Sequence, residues 1–129
     1  MKILSFSLFV LLMLCSCTME KTLNKKLDGE WSLQTINNAI DSNFSQTILF
    51  SKKDSGGNIH FTTIDASITT NLDGIYELIK SSTLTIAFPN GKDVGYPYDT
   101  ETYEIVKYTK TELTLKRQKN NFTYFYKKM

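Results

Sequence analysis

From Leu27 to the last residue, apolar and polar positions alternate in short runs separated by turn residues about every 10 positions. Threonine, tyrosine, isoleucine and phenylalanine dominate these runs, and β-branched and aromatic side chains suit a pleated, half-buried surface. The pattern predicts strands at 29–37, 46–51, 58–64, 68–71, 75–79, 83–88, 102–108, 112–117 and 122–127. Residues 68–79 can also be read as one kinked strand with Asp73-Gly74 at a bulge or tight turn, so the count is eight or nine. The stretch 38–45 is too weakly periodic for a packed helix and reads as an irregular crossing or a single helical turn.

The breaks between runs have local causes. Gly56 and Gly57 follow Asp54-Ser55 and supply two positions free to take positive φ, while Asn120-Asn121 can do so through asparagine. Tyr108-Thr109-Lys110-Thr111 is a short polar link. Each break joins two alternating runs, so each predicts a hairpin, and successive hairpins make a meander. A meander of about eight strands hides its edges best by closing into an up-and-down barrel. The expected fold is therefore an all-β, eight-stranded antiparallel barrel over residues 27–129. Its interior is expected to hold Trp31, Leu33, Ile48, Phe50, Leu84, Ile86, Phe88, Tyr103, Ile105, Leu113, Leu115, Phe122 and Tyr124.

The start of the chain follows a different pattern. Met1-Lys2 is basic, 3–14 is apolar apart from serine, and Leu14-Cys15-Ser16-Cys17 follows. A basic start, an apolar stretch and a small residue before the cut form a secretory signal. The apolar run is short of the roughly 20 residues a spanning helix needs. The Leu-x-Ser-Cys end resembles the lipobox of bacterial lipoproteins. That resemblance implies cleavage after Ser16 and attachment of a diacylglycerol thioether to Cys17, with acylation of the new amine, a palmitate-type modification. A thiol is needed because the thiolate is the nucleophile that accepts the lipid. Cys15 departs from the usual small residue, but bulky Leu14 precedes it, so Cys17 is the expected acceptor. The division is then 1–16 signal peptide, 17–26 lipidated tether and 27–129 barrel. The polar stretch 18–26 shows no apolar periodicity and reads as a tether. By resemblance to Gram-negative sorting, Thr18 after the cysteine favours the outer membrane, with the facing left open.

Composition narrows the partners. The two cysteines are both consumed by this processing, which leaves the barrel no disulfide, no catalytic thiol and no thiolate metal site. The net charge is +2, one unit of it on Lys2, and the charges are interspersed. No nucleic-acid stripe follows from such a balance.

At Leu27-Asp28-Gly29-Glu30-Trp31-Ser32-Leu33 the sequence resembles the first strand of lipocalin-like domains, whose pattern is Leu-x-Gly-x-Trp. Gly74-Ile75-Tyr76-Glu77-Leu78, Leu113-Thr114-Leu115 and Phe122-Thr123-Tyr124-Phe125-Tyr126-Lys127 resemble later strands of small bacterial lipoproteins of this kind. The resemblance implies a lipocalin-like barrel whose floor is formed by Gly29 and Trp31. Fold alone does not carry function.

Chemistry for catalysis is missing. His60 stands mid-strand between Ile59 and Phe61 and is expected to face solvent. No nucleophile elbow, zinc motif, phosphate loop or calcium loop is present. Asp99, Glu101 and Glu104 lie close in sequence and read as solvated acids or, at best, a carboxylate pair. The sequence reads as a non-enzyme without metal or cofactor. The longest irregular segment, 89–100, holds two prolines, two glycines and two tyrosines, and loops of that length are often functional. Candidate contacts for a small apolar or amphipathic ligand in the barrel mouth are Phe88, Tyr96, Tyr98 and Tyr103. The alternative is a protein-interaction or inhibitor module in which the 89–100 loop engages an envelope or host protein.

Overall fold

The structure is a computed structural model that describes residues 22–53, 56–80 and 82–129. Cys15 and Cys17 lie outside the described residues, as do the signal peptide and the start of the tether.

Eight strands follow one another in chain order: β1 (Gly29–Ile36), β2 (Phe44–Lys53), β3 (Gly56–Asp65), β4 (Ile68–Ile79), β5 (Thr83–Ala87), β6 (Thr100–Tyr108), β7 (Glu112–Arg117) and β8 (Thr123–Lys128). Each pairs antiparallel with the next, and β8 returns to β1 to close a barrel. Closure leaves no strand edge unpaired. Side chains alternate inward and outward with the pleat. In β2, Ile48 and Phe50 are buried; in β4, Gly74, Tyr76 and Leu78; in β5, Leu84 and Ile86; in β7, Leu113 and Leu115.

The ends of the barrel differ. At one end β1 begins, β8 finishes, and the β2–β3, β4–β5 and β6–β7 turns are found. Residues 22–27 form a short helix that plugs this end. Leu23 and Leu27, one helical turn apart, are both fully buried in the core with Trp31. Trp31 donates its indole N–H to the Leu27 carbonyl at 2.8 Å. Asn24 is buried as well: its amide donates to the Gly56 carbonyl at 2.9 Å, and its oxygen accepts from the Tyr76 hydroxyl at 2.6 Å. The tether reading is thus corrected over its described part, because the buried leucines and Asn24 make residues 22–26 part of the domain.

Residues 68–79 and 38–43 follow one of the alternatives read for each, and Phe122 departs from its expected place. Residues 68–79 are one strand, and its pairing with β3 runs without a break through Asp73-Gly74. Gly74 is there for clearance: a Cβ would approach the Ile86 and Ile59 methyl groups to 2.8 and 3.1 Å. Phe122 is not interior; it precedes β8, follows Asn121 at φ 58°, and is 43% exposed. The inward aromatic positions of β8 are Tyr124 and Tyr126. Residues 38–43 contain no helix, only turns and an Ile36–Ala39 bridge.

Local backbone geometry has identifiable causes. Gly29 has φ 120°, a region that L side chains rarely adopt, and a Cβ there would meet the Lys128 side chain at 2.9 Å. Ala66 and Ser67 both take positive φ in the two-residue β3–β4 turn, as the twist of such hairpins demands. Thr109 caps the β6–β7 link by accepting from the Glu112 backbone N–H at 2.9 Å.

Candidate functional site

The plugged half of the barrel is filled. Trp31, Ile48, Phe50, Ile59, Tyr76, Leu84 and Leu115 are each at most 2% exposed, and Phe50 meets Tyr76 edge to face at 5.2 Å. The opposite half is not. Between the ends of β2, β3, β4 and β6 a cavity of about 300 Å³ opens at the mouth. One part of its wall is aromatic: Phe44, Phe61, Phe88, Tyr96 and Tyr103. The other part is polar, made by Gln46, Thr63, Asp65 and Thr70, with Leu72 between.

Strand pleat explains this lining. Gln46, Thr63 and Asp65 continue the inward positions of Ile48, Ile59 and Phe61. Inward positions near the plug carry large apolar groups, and the same positions near the mouth carry amide, hydroxyl and carboxylate. Gln46 is fixed from both sides: its oxygen accepts from the Tyr126 hydroxyl at 2.7 Å and its amide donates to Thr63 Oγ1 at 3.1 Å.

The 89–100 loop forms one wall. It contains a short 3-10 turn at Lys92–Val94 and is tied down by backbone bonds, among them Tyr96 N–H to the Gly91 carbonyl at 2.8 Å and Phe88 N–H to the Asp99 carbonyl at 2.8 Å. Tyr96 turns inward and packs on Phe88 at a centroid distance of 5.0 Å. Three of the four candidate ligand contacts, Phe88, Tyr96 and Tyr103, therefore meet at one cavity. Tyr98 is not in its lining; it packs on Tyr96 at 5.6 Å, 43% exposed, with the Lys119 ammonium 3.0 Å above its ring.

Beside the cavity is a charged cluster that the sequence reading did not find. Glu101 is 2% exposed, so it is not the solvated acid expected. Its carboxylate accepts from Arg117 Nε at 3.0 Å, from Arg117 Nη2 and from the Tyr96 hydroxyl, and Lys119 Nζ lies 3.8 Å away. Burial pushes the carboxyl up, but the Arg117 and Tyr96 hydrogen bonds and the charges of Arg117 and Lys119 outweigh it and hold Glu101 below the usual carboxylate range. Burial, and after it the Glu101 charge, pushes the Tyr103 hydroxyl up. The cluster is closed on itself: the guanidinium fork is occupied and Tyr96 is oriented by it. Asp99 and Glu104 are not among its hydrogen-bond or ion-pair partners. Sequence parity could have found the cluster, since Glu101 falls on the inward face of β6 with Tyr103 and Ile105, and Arg117 on that of β7 with Leu113 and Leu115.

His60 faces outward, as expected from its buried neighbours Ile59 and Phe61. It pairs with Asp73 across β3–β4, and Asn71 Oδ1 is 3.2 Å from its other ring nitrogen. With Leu49, Ser51, Ile75 and Pro89 it borders an outer hollow of about 440 Å³. That hollow lies on the solvent side of β2–β4 and has no aromatic wall. Among the described residues no group of three His, Cys, Asp or Glu side chains is placed to hold a metal ion.

Comparison with known proteins places the fold. The chain is similar to a lipocalin-like protein from Bacteroides uniformis, with a TM-score of 0.59 and 18% identity over 81% of this chain and 99% of that one. It is also similar to an uncharacterized protein from Bacteroides eggerthii, with a TM-score of 0.56 and 15% identity over 80% of this chain and 99% of that one. No family model matches the chain, and no curated protein does. The fold is thus an eight-stranded antiparallel barrel of lipocalin-like form, and the likeness extends to the fold alone.

Proposed function

We propose that this chain is a lipid-anchored envelope protein whose barrel binds a small apolar or amphipathic ligand in its mouth, without enzymatic activity. One observation carries the binding reading. The barrel is packed at the plugged end and keeps a ring-lined cavity of about 300 Å³ at the other. Small-molecule sites are concave, mainly apolar and sparingly polar, and barrel mouths are a common place for them. Tyr96 is turned into the cavity and not toward solvent, which favours a ligand wall over a projecting inhibitory loop.

The anchor reading rests on Leu14-Cys15-Ser16-Cys17, with Cys17 as the lipidated residue and Thr18 favouring the outer membrane. A single chain anchors only marginally, so two or three acyl chains would be required. From Cys17 to the first residue of the plug helix the backbone spans at most about 17 Å. The plug would then sit next to the bilayer and the mouth would point away from it.

Native mass spectrometry of the purified protein tests the binding reading. A discrete excess mass, lost on denaturation, is the expected result; a bare mass in protein taken directly from its membrane would count against it. Palmitate labelling of cells tests the anchor, with label expected on the parent and absent from Cys17→Ala.

A further inference from the structure

The charges around the mouth select among amphipathic ligands. Asp65 is the one ionisable acid in the cavity lining, and no lysine, arginine or histidine lines it. It is exposed at the end of β3 and has no ion pair among the described residues. Arg117, the guanidinium nearest the aromatic wall, is already bound by Glu101 through two nitrogens. Recruiting Arg117 for an anionic ligand would strip a buried carboxylate of its partner, a costly exchange. Asp65 shares the cavity lining with the rings of Phe44, Phe61, Phe88, Tyr96 and Tyr103, and the π-faces of such rings attract cations.

We propose that the mouth cavity takes a small organic cation, a protonated amine whose charge lies toward Asp65 and whose body packs against Phe61, Phe88 and Tyr96. This rests on the reading of the mouth as a ligand site and adds the sign of the ligand's charge. A carboxylate of the same size meets Asp65 with like charge and finds no unengaged cation in the lining. A neutral analogue keeps the ring contacts alone.

Three probes of one size separate these cases: 2-phenylethylamine, 2-phenylethanol and phenylacetate, titrated at pH 7 and low salt against the protein and followed by NMR or calorimetry. The amine is expected to bind best, the alcohol next and phenylacetate worst, with amine and acid differing by about tenfold or more. The preference shrinks as salt is raised, since Asp65 is exposed. Asp65→Asn should bring the amine to the affinity of the alcohol and leave the alcohol unchanged. Phenylacetate binding as well as the amine, or amine binding untouched by Asp65→Asn, overturns the charge inference while the ligand site stands. Binding of none of the three overturns both.

Discussion

Glu101 on β6 and Arg117 on β7 form a two-nitrogen ion pair inside the barrel mouth, with Glu101 2% exposed. A pair this buried must satisfy its remaining hydrogen-bonding capacity, and Tyr96 does so from the loop. The pair therefore joins two strands to the segment that walls the cavity. Breaking a buried pair by removing one partner costs about 3–5 kcal/mol, whereas replacing both with apolar groups of similar volume is often near neutral. Arg117→Met and Glu101→Leu should each destabilise by about that amount, and the double variant by less than the sum. Urea unfolding of the four proteins measures the coupling. Strict additivity would show that the pair does not act as a unit.

The same pair has a pH signature. Glu101 is held below its ordinary value of 4.5, so its contribution to stability is complete above that value and is lost as pH falls through the lower folded value. Unfolding free energy should fall below about pH 4.5 more steeply for the parent than for Glu101→Gln. Parallel curves for the two proteins would remove Glu101 as a source of acid sensitivity.

Residues 22–27 should behave as part of the domain. Leu23 and Leu27 are fully buried beside Trp31, and burying a leucine that is later truncated leaves a cavity as well as lost transfer energy. Leu23→Ala is expected to cost about 2–5 kcal/mol, comparable to truncating a core leucine such as Leu84. Thermal or urea unfolding of Leu23→Ala and Leu84→Ala side by side checks this. A Leu23→Ala loss below about 0.5 kcal/mol, the size of an ordinary surface change, would return this segment to the tether.

Most of the barrel was legible because period-two alternation repeats in every strand, and a one-residue slip would turn a whole apolar face outward. Strand order and closure followed from that signal together with the turn residues, whereas strand ends differ by up to two residues, as at β2, read as 46–51 and found at Phe44–Lys53. The plug helix was not legible for the same reason in reverse. It offers only Leu23 and Leu27 among Asn24, Lys25 and Lys26, which is too little periodicity to stand out. Glu101 was misread because its acidity was weighed without its strand parity. Phe122 was misread in the opposite way, by extending the parity of Tyr124 back beyond the start of β8 at Thr123 to a residue that follows Asn121 and its positive φ. The aromatic contacts of the mouth were partly legible: loop length drew attention to Tyr96, but the polar wall depends on the register of three adjacent strands, which sets Gln46 beside Thr63 and Thr63 beside Thr70.

His60 gives a second, weaker pH effect on the outer face. Its pKa is raised above 6.5, first by the Asp73 hydrogen bond and then, against the opposing effect of burial, by Asn71 and the Asp73 charge. Raised in the folded state, it contributes stability that is fully present below 6.5 and disappears as pH climbs through the folded value. Asp73 is 77% exposed on its side chain, so solvent screening limits the pair to less than about 1 kcal/mol. An NMR titration of His60 should show its pKa drop in Asp73→Asn, with little change in melting temperature. An unchanged pKa would mean that the pair does not persist in solution.

The cavity itself can be tested by filling it. Leu72 lies between the aromatic and polar walls of the mouth and is only partly buried, so a larger side chain can grow into the open space without displacing the packed half. Leu72→Trp should therefore keep the fold and its unfolding midpoint within the range of ordinary surface changes, about 0.5 kcal/mol. Overpacking a closed core costs about 1–3 kcal/mol instead, so the stability of this variant reports whether space is present. In native mass spectra any excess mass carried by the parent should vanish from Leu72→Trp. It should persist in Leu49→Trp, which places the same bulk on the outer hollow. Loss of the mass in Leu49→Trp and its retention in Leu72→Trp would move the ligand site from the barrel mouth to the outside of β2–β4.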